Sequence, residues 1–174
     1  MPIHVGDAVP AATFRYVKGR EVVTVSTDEL LRGRRVVMFS VPGAFTPKST
    51  ELHVPSYLGN AEDIYAQGVD SIVCISVNDA HVMDAWAKHC RVGDKIRMLA
   101  DGHCVFFTAI GLELDCTRFE LGFRCHRFSM IVDDGSVSAI NVEAPGGYAV
   151  SGAETIVTQL RKLNASVHAA SSNS

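Results

Sequence analysis

The order of elements along this chain predicts a mixed α/β fold, with a central mixed β-sheet flanked by helices. Two apolar, β-branched runs, RRVVMFS (34–40) and SIVCISV (71–77), have the length and composition of buried strands, and each is followed by a helical pattern. A third segment, RFSMIVDDGSVSAINV (127–142), has the alternation of an antiparallel hairpin about Asp134-Gly135. A closing helix follows it. Strands and helices that alternate first, then a hairpin and a helix, require both faces of the sheet to be covered.

Taken in order, residues 13–25 (TFRYVKGREVVTV) contain two short runs about Lys18-Gly19, an N-terminal β-hairpin extension. Asp28-Glu29-Leu30-Leu31 reads as one helical turn stopped at Gly33. After the first buried strand, a helix opens at Pro47 and runs, broken near Pro55, to a stop at Gly68. Asn78-Asp79 supplies capping chemistry after the second strand, for a helix with Val82, Met83, Trp86 and Ala87 at helical spacing. IRMLA (96–100) reads as a strand and HCVFFTAIG (103–111) as a short helix. The last helix, AETIVTQLRKL, is expected to end near Leu163. One domain over 1–163 is expected, with 164–174 a small, polar, disordered tail.

Bulk properties exclude some function classes. A formal net charge of −3 over 174 residues gives no electrostatic case for nucleic acid or an anionic membrane surface. No apolar stretch approaches bilayer-spanning length, and MPIHVGDAVP lacks the regions of a secretory or transit signal. The five cysteines (Cys74, Cys90, Cys104, Cys116 and Cys125) are odd in number and form no C-x-x-C pair. Free thiols in a reducing compartment, the cytoplasm, are the expectation. His89-Cys90, His103-Cys104 and Cys125-His126 are adjacent pairs whose side chains diverge, and no zinc-ligand spacing recurs. No metal or cofactor is expected.

The most informative stretch is FSVPGAFTPKSTEL (39–52), a strand that ends in Pro-Gly and reopens as a helix at Thr-Pro. Thr46 reads as the N-cap and Pro47 as the first helical residue, where a missing N–H is harmless. Ser49 then lies in the first turn, near unpaired N–H groups and the positive end of the helix dipole. An anion there is stabilised, and cysteine exploits such a position best, because its thiolate becomes populated. A serine hydroxyl gains little. His53 is four residues on, but no orienting carboxylate and no G-x-S-x-G elbow accompany it. For the residue as it stands, an ordinary first-turn serine outranks serine catalysis.

VPGAFTPKSTELHVP (41–55) closely resembles the active-site signature of the peroxiredoxins, in the type II form that plant type II and mammalian fifth members share. GVDSIVCISVNDAHVMDAW, LADG, GLELD, RFSMIVDDG and NVE follow in the family's order, so the likeness covers roughly residues 3–163. The resemblance implies a thioredoxin-like fold and a thiol-dependent peroxidase that reduces hydrogen peroxide and alkyl hydroperoxides through a thiolate and a sulfenic acid. It implies that Pro42 shapes and shields the loop, that Thr46 hydrogen-bonds the peroxide, and that Arg127 stabilises the thiolate and polarises the O–O bond. The family's peroxidatic cysteine falls on Ser49.

With everything around position 49 intact, the chain reads as an inactive Cys→Ser variant of an active peroxidase. The alternatives are a natural pseudo-peroxidase acting as a binding or redox-signalling partner, or a holdase-like oligomer. Cys74 matches a cysteine that plant members carry and is the resolving candidate, although an inert core thiol is the preferred reading. The implied partners are a peroxide, a thiol reductant (glutaredoxin with glutathione, or thioredoxin) and a second copy in a homodimer. Trp86 is expected in the core or a subunit interface, and Lys48 on the rim. Phe119, Leu121 and Phe123 alternate before Arg127, as core or as an apolar wall beside the site.

Overall fold

The computed structural model describes residues 1–173. Seven strands form one mixed sheet: β1 (Thr13–Lys18), β2 (Glu21–Ser26), β3 (Arg35–Ser40), β4 (Ser71–Ser76), β5 (Arg97–Ala100), β8 (Phe128–Asp133) and β9 (Ser136–Val142). Their spatial order is β2-β1-β5-β4-β3-β8-β9. The central strands β3, β4 and β5 are parallel, while the β1–β2 and β8–β9 hairpins add antiparallel edges. The N-terminal hairpin is thus one wing of the main sheet, joined to β5 through Arg15 opposite Ala100. A small second sheet pairs β6 (Glu113–Asp115) with β7 (Phe123–Cys125).

The two-residue period of a strand divides the apolar residues between two cores. Val37 and Phe39 of β3, with Ile72 and Cys74 of β4, face α2 (Val54–Ala66), α3 (Ala80–Cys90) and α5 (Ala153–Ser172). Val36 and Met38, with Val73 and Ile75, face α1 (Thr27–Leu31) and α4 (Val105–Ala109). Both faces of the central strands are therefore buried, which is why those strands read as continuous apolar runs.

Local chemistry explains the element ends. Ser26 and Glu29 close a reciprocal capping box on α1, and the Asp79 carboxylate caps α3 through the Val82 N–H. The β8–β9 turn places Asp134 at φ +46° and Gly135 at +80°, the left-handed pair that a two-residue hairpin loop requires.

Three expectations need correction. Residues 164–172 are not a disordered tail, the expected tail's last residue, 174, lying outside the described residues: α5 continues to Ser172, and the segment is pinned where Asn164 accepts from Arg35 (2.7 Å) and donates to the Gln67 carbonyl (3.1 Å). Its alanines have high helix propensity, so a helix already stabilised by burial of Ile156, Val157 and Leu160 extends. The helix after Pro47 is not broken near Pro55. It widens to a π-helical turn over Ser49–His53, with the Val54 N–H bonded to Ser49 O, and so accommodates the proline. Phe119, Leu121 and Phe123 are not core, because all three side chains are exposed. Trp86 is wholly buried, in the core with α2 and α5.

Candidate active site around Ser49

The site lies where the chain leaves β3, beyond the carboxyl end of a central parallel strand, the usual ligand position in such sheets. Several bonds draw the loop 41–46 into shape. The Val41 N–H donates to Ile75 O (3.2 Å) and the Ala44 N–H to Asn78 Oδ1 (3.0 Å), tying the loop to the end of β4. Arg124 Nη1 bridges the carbonyls of Pro42 and Val77, at 3.3 Å each, while its Nε donates to Leu121 O (2.8 Å). A side chain on Gly43 would place its Cβ 3.0 Å from Arg124 Nη1 and 3.3 Å from Thr46 Cγ2, so the guanidinium would have to draw back by a few tenths of an ångström. Phe45 takes a left-handed φ of +64°, a local strain that the surrounding bonds hold in place.

Ser49 is fully buried, and its hydroxyl oxygen has two side-chain partners: Thr46 Oγ1 at 2.6 Å and Arg127 Nη2 at 3.1 Å. Thr46 does not cap the helix through its side chain; its hydroxyl also lies 2.8 Å from Gly43 O. A hydroxyl carries one proton. With Thr46 donating to that carbonyl, the Ser49 hydroxyl donates to Thr46 and accepts from Arg127. An anion at position 49 would instead take the Thr46 proton. The helix itself is braced by α3, whose Trp86 indole N–H donates to Thr50 Oγ1 (3.1 Å).

Arg127, 7% exposed, reaches the pocket from the residue preceding β8. It has no ion-pair partner among the described residues. Burial pulls its pKa down from the ordinary arginine value. Its Nη1 donates to His53 Nδ1 (2.9 Å), and His53 Nε2 lies 3.1 Å from Ser151 O. Burial, and then the nearby Arg127 charge, lower the His53 pKa to about 3, so the imidazole is neutral at physiological pH. A neutral ring that accepts on Nδ1 carries its proton on Nε2 and donates to Ser151. Tyr57 donates to the same carbonyl (2.9 Å) and stacks on Phe39, with ring centroids 4.0 Å apart.

The structure thus brings together Ser49, Thr46 and Arg127, with Pro42 in the adjoining loop, its carbonyl accepting from Arg124. Cys74 is apart: it lies fully buried on β4 in the apolar core, and burial pushes its thiol well above the ordinary range. Cys125 is equally buried, with its sulfur 3.1 Å from Val41 O and its pKa also pushed up. Lys48, on the rim as expected, donates to Gly146 O. Sequence reading did not find Arg124, Glu143 or Ser151, and it gave His53 no partner. The bonds of Arg124 to Pro42, of Arg127 to His53 and of His53 to Ser151 join segments 74 to 98 positions apart, beyond the reach of a motif, while Glu143 binds a turn only six to eight residues on.

Residues 4–157 match the Redoxin family. The chain is 41% identical over 160 residues to peroxiredoxin-2D of Arabidopsis thaliana, covering 91% of this chain and 99% of that one. It is 40% identical to the chloroplastic peroxiredoxin-2E-2 of Oryza sativa subsp. japonica, over 91% of this chain and 72% of that protein. The crystal structure of reduced Prx3 in complex with hydrogen peroxide from Vibrio vulnificus superposes with a TM-score of 0.87 at 45% identity, covering 91% of this chain and 96% of that one. The seven-stranded architecture is accordingly the thioredoxin-like one, and the chain belongs to the peroxiredoxins of type II, within the Redoxin family.

Proposed function

We propose that the pocket is a peroxide-reducing centre shaped for a thiolate at position 49, and that the chain, with Ser49 there, is an inactive Cys→Ser variant of a thiol peroxidase. The observation that carries this reading is Arg127: a buried guanidinium with no carboxylate in ion-pair contact among the described residues, aimed at the side-chain oxygen of residue 49. A buried cation without a counter-charge is costly unless an anion comes to it. Residue 49 is where that anion would reside.

The chemistry follows from the donors. A thiolate at position 49 attacks one peroxide oxygen in line with the O–O bond. Two electrons pass from sulfur, an S–O bond forms and the O–O bond breaks. The leaving oxygen departs as water or an alcohol after taking a proton, and the sulfur is left as a sulfenic acid. Negative charge moves from sulfur to the leaving oxygen, and Arg127 and Thr46 are already in place to stabilise it. A serine hydroxyl ionises far above neutral pH, and the imidazole of His53, which lies in the pocket, holds its bare nitrogen against Arg127.

An external thiol then reduces the sulfenic acid, forming a mixed disulfide and releasing water. The burial and raised pKa of Cys74 support a reductant that acts directly, glutaredoxin with glutathione or thioredoxin. The exposed apolar side chains Phe119, Leu121 and Phe123 support a homodimer, and the five free cysteines support a reducing compartment such as the cytoplasm. The test is Ser49→Cys, assayed with hydrogen peroxide and an alkyl hydroperoxide against each reductant. We expect turnover in the variant and none in the parent; a variant inert with every reductant refutes the reading.

A further inference from the structure

Glu143, the residue after β9, is buried at 5% exposure and makes no ion pair among the described residues. Its backbone N–H donates to Arg127 O (2.9 Å), so it extends the β8–β9 ladder at the catalytic end. Its side chain does something a sheet does not need. The single oxygen Oε1 accepts from the backbone N–H groups of Ala149 (2.7 Å), Val150 (2.6 Å) and Ser151 (2.8 Å), and from the Ser151 hydroxyl (2.9 Å). Burial alone would raise its pKa, but the N–H bonds outweigh that and hold it below the ordinary glutamate value. An ionised carboxylate is thereby committed to fixing one turn of chain, 149–151.

That turn carries the Ser151 carbonyl, which faces both the Tyr57 hydroxyl and His53 Nε2. A carbonyl can only accept, so a fixed carbonyl at Nε2 demands the proton on that nitrogen. Nδ1 is then left bare, and Arg127 Nη1 donates to it. Moving the proton to Nδ1 would set donor against donor and turn the guanidinium away from residue 49.

We infer that Glu143 is a positioning residue for the site: by fixing the Ser151 carbonyl it selects the His53 tautomer that accepts from Arg127 and so aims the guanidinium at residue 49. The kinetic consequence rests on the peroxide-reducing reading; the structural one does not. The groups that face His53 are Arg127, Tyr57, Tyr148, the Phe39 ring and the Ser151 carbonyl, with Glu143 acting over a longer range.

Two measurements test this. In the chain with Ser49, ¹⁵N NMR of labelled histidine reads the His53 tautomer directly. We expect a protonated Nε2 and a bare Nδ1 in the parent, unchanged between pH 7.5 and 5. In Glu143→Ala the two nitrogens should average and begin to titrate within that window, whereas Glu143→Gln, which keeps a carbonyl oxygen of the same reach, should retain the parent pattern. Should Glu143→Ala not fold, Glu143→Asp decides, since it keeps the charge but withdraws the oxygen by one methylene, and it should lose the pattern. A folded Glu143→Ala or Glu143→Asp chain with the parent tautomer overturns the inference. In the Ser49→Cys background, Glu143→Ala should lower kcat/KM by up to about 100-fold, with the thiolate midpoint moving upward. Because the tautomer is read without turnover, an inert Ser49→Cys enzyme would refute the peroxidase reading and leave this result standing.

Discussion

Two arginines at opposite ends of the same sheet meet burial in opposite ways. Arg35, at the start of β3, is bound to Asp133 through Nε (2.5 Å) and to Asn164 through Nη1 (2.7 Å), with the Gln67 carbonyl at 3.4 Å. Its charge is neutralised within the fold, and the cluster joins the start of β3 to the end of β8 and to the last helix. Arg127 has a neutral imidazole and a hydroxyl where Arg35 has a carboxylate and an amide. The first arrangement is complete and holds the structure together. The second has no carboxylate in contact with the guanidinium, Glu143 acting only over a longer range, and the guanidinium is turned instead to the side chain of residue 49.

The comparison is most sharply broken at Arg127. In the Ser49→Cys background, Arg127→Met should cost about 10²–10³-fold in kcat/KM, the usual loss for one preorganised donor to developing negative charge, and should raise the thiolate pKa in an absorbance titration. Stability in the Ser49 chain should change little, because removal of a buried charge offsets the loss of the donor to His53 Nδ1 and of the longer-range attraction to Glu143. A large loss of stability with normal activity would make Arg127 a second Arg35.

The next effect is in pH. His53 is neutral in the fold, with a pKa of about 3, and near 6.5 when unfolded, so the unfolded chain binds the extra proton between those values. Stability should therefore be fully present above about 6.5 and fall as pH drops toward 3, with a slope from this group approaching about 1.4 kcal/mol per pH unit. Urea unfolding at several pH values measures the slope, and His53→Asn should flatten it over that window. A parent slope that His53→Asn leaves unchanged would assign the acid sensitivity elsewhere.

At the structural end, Arg35→Met should lower stability by roughly 1.5–3 kcal/mol, because Asp133 loses its cation and Asn164 Oδ1 its donor, and leave the peroxidase rate of the Ser49→Cys enzyme unchanged. The smallest change is expected for Asn164→Ala, about 1 kcal/mol by thermal unfolding, with fraying of α5 beyond it. A loss of peroxidase rate in either variant would mean that the two arginine clusters are coupled through the sheet.

The fold was legible wherever one residue pattern had one physical solution. The runs at 34–40 and 71–77 became β3 and β4, and Asp134-Gly135 became the turn of β8–β9, because burial on both faces and paired positive φ leave few alternatives. The helical course of 164–172 was not legible. Its small polar residues carry no amphipathic signal, and what starts that extension is a bond from Asn164 to Arg35, 129 positions away in sequence. Phe119, Leu121 and Phe123 misled in the other direction, since alternation of apolar residues describes a strand but not whether anything covers it.

The sequence by itself determined the alternation of strands and helices, the Pro-Gly loop and the helix start at Thr-Pro, and the departure at Ser49. These are local matters of backbone preference, periodicity and side-chain chemistry. Only the tertiary structure decided that Arg127 meets Ser49 across 78 positions, that His53 lies between that guanidinium and the Ser151 carbonyl, and that Glu143 holds the carbonyl still. The reason is that hydrogen-bond partners and net charge in a buried site depend on which distant segments the sheet brings side by side, and no local pattern encodes that choice.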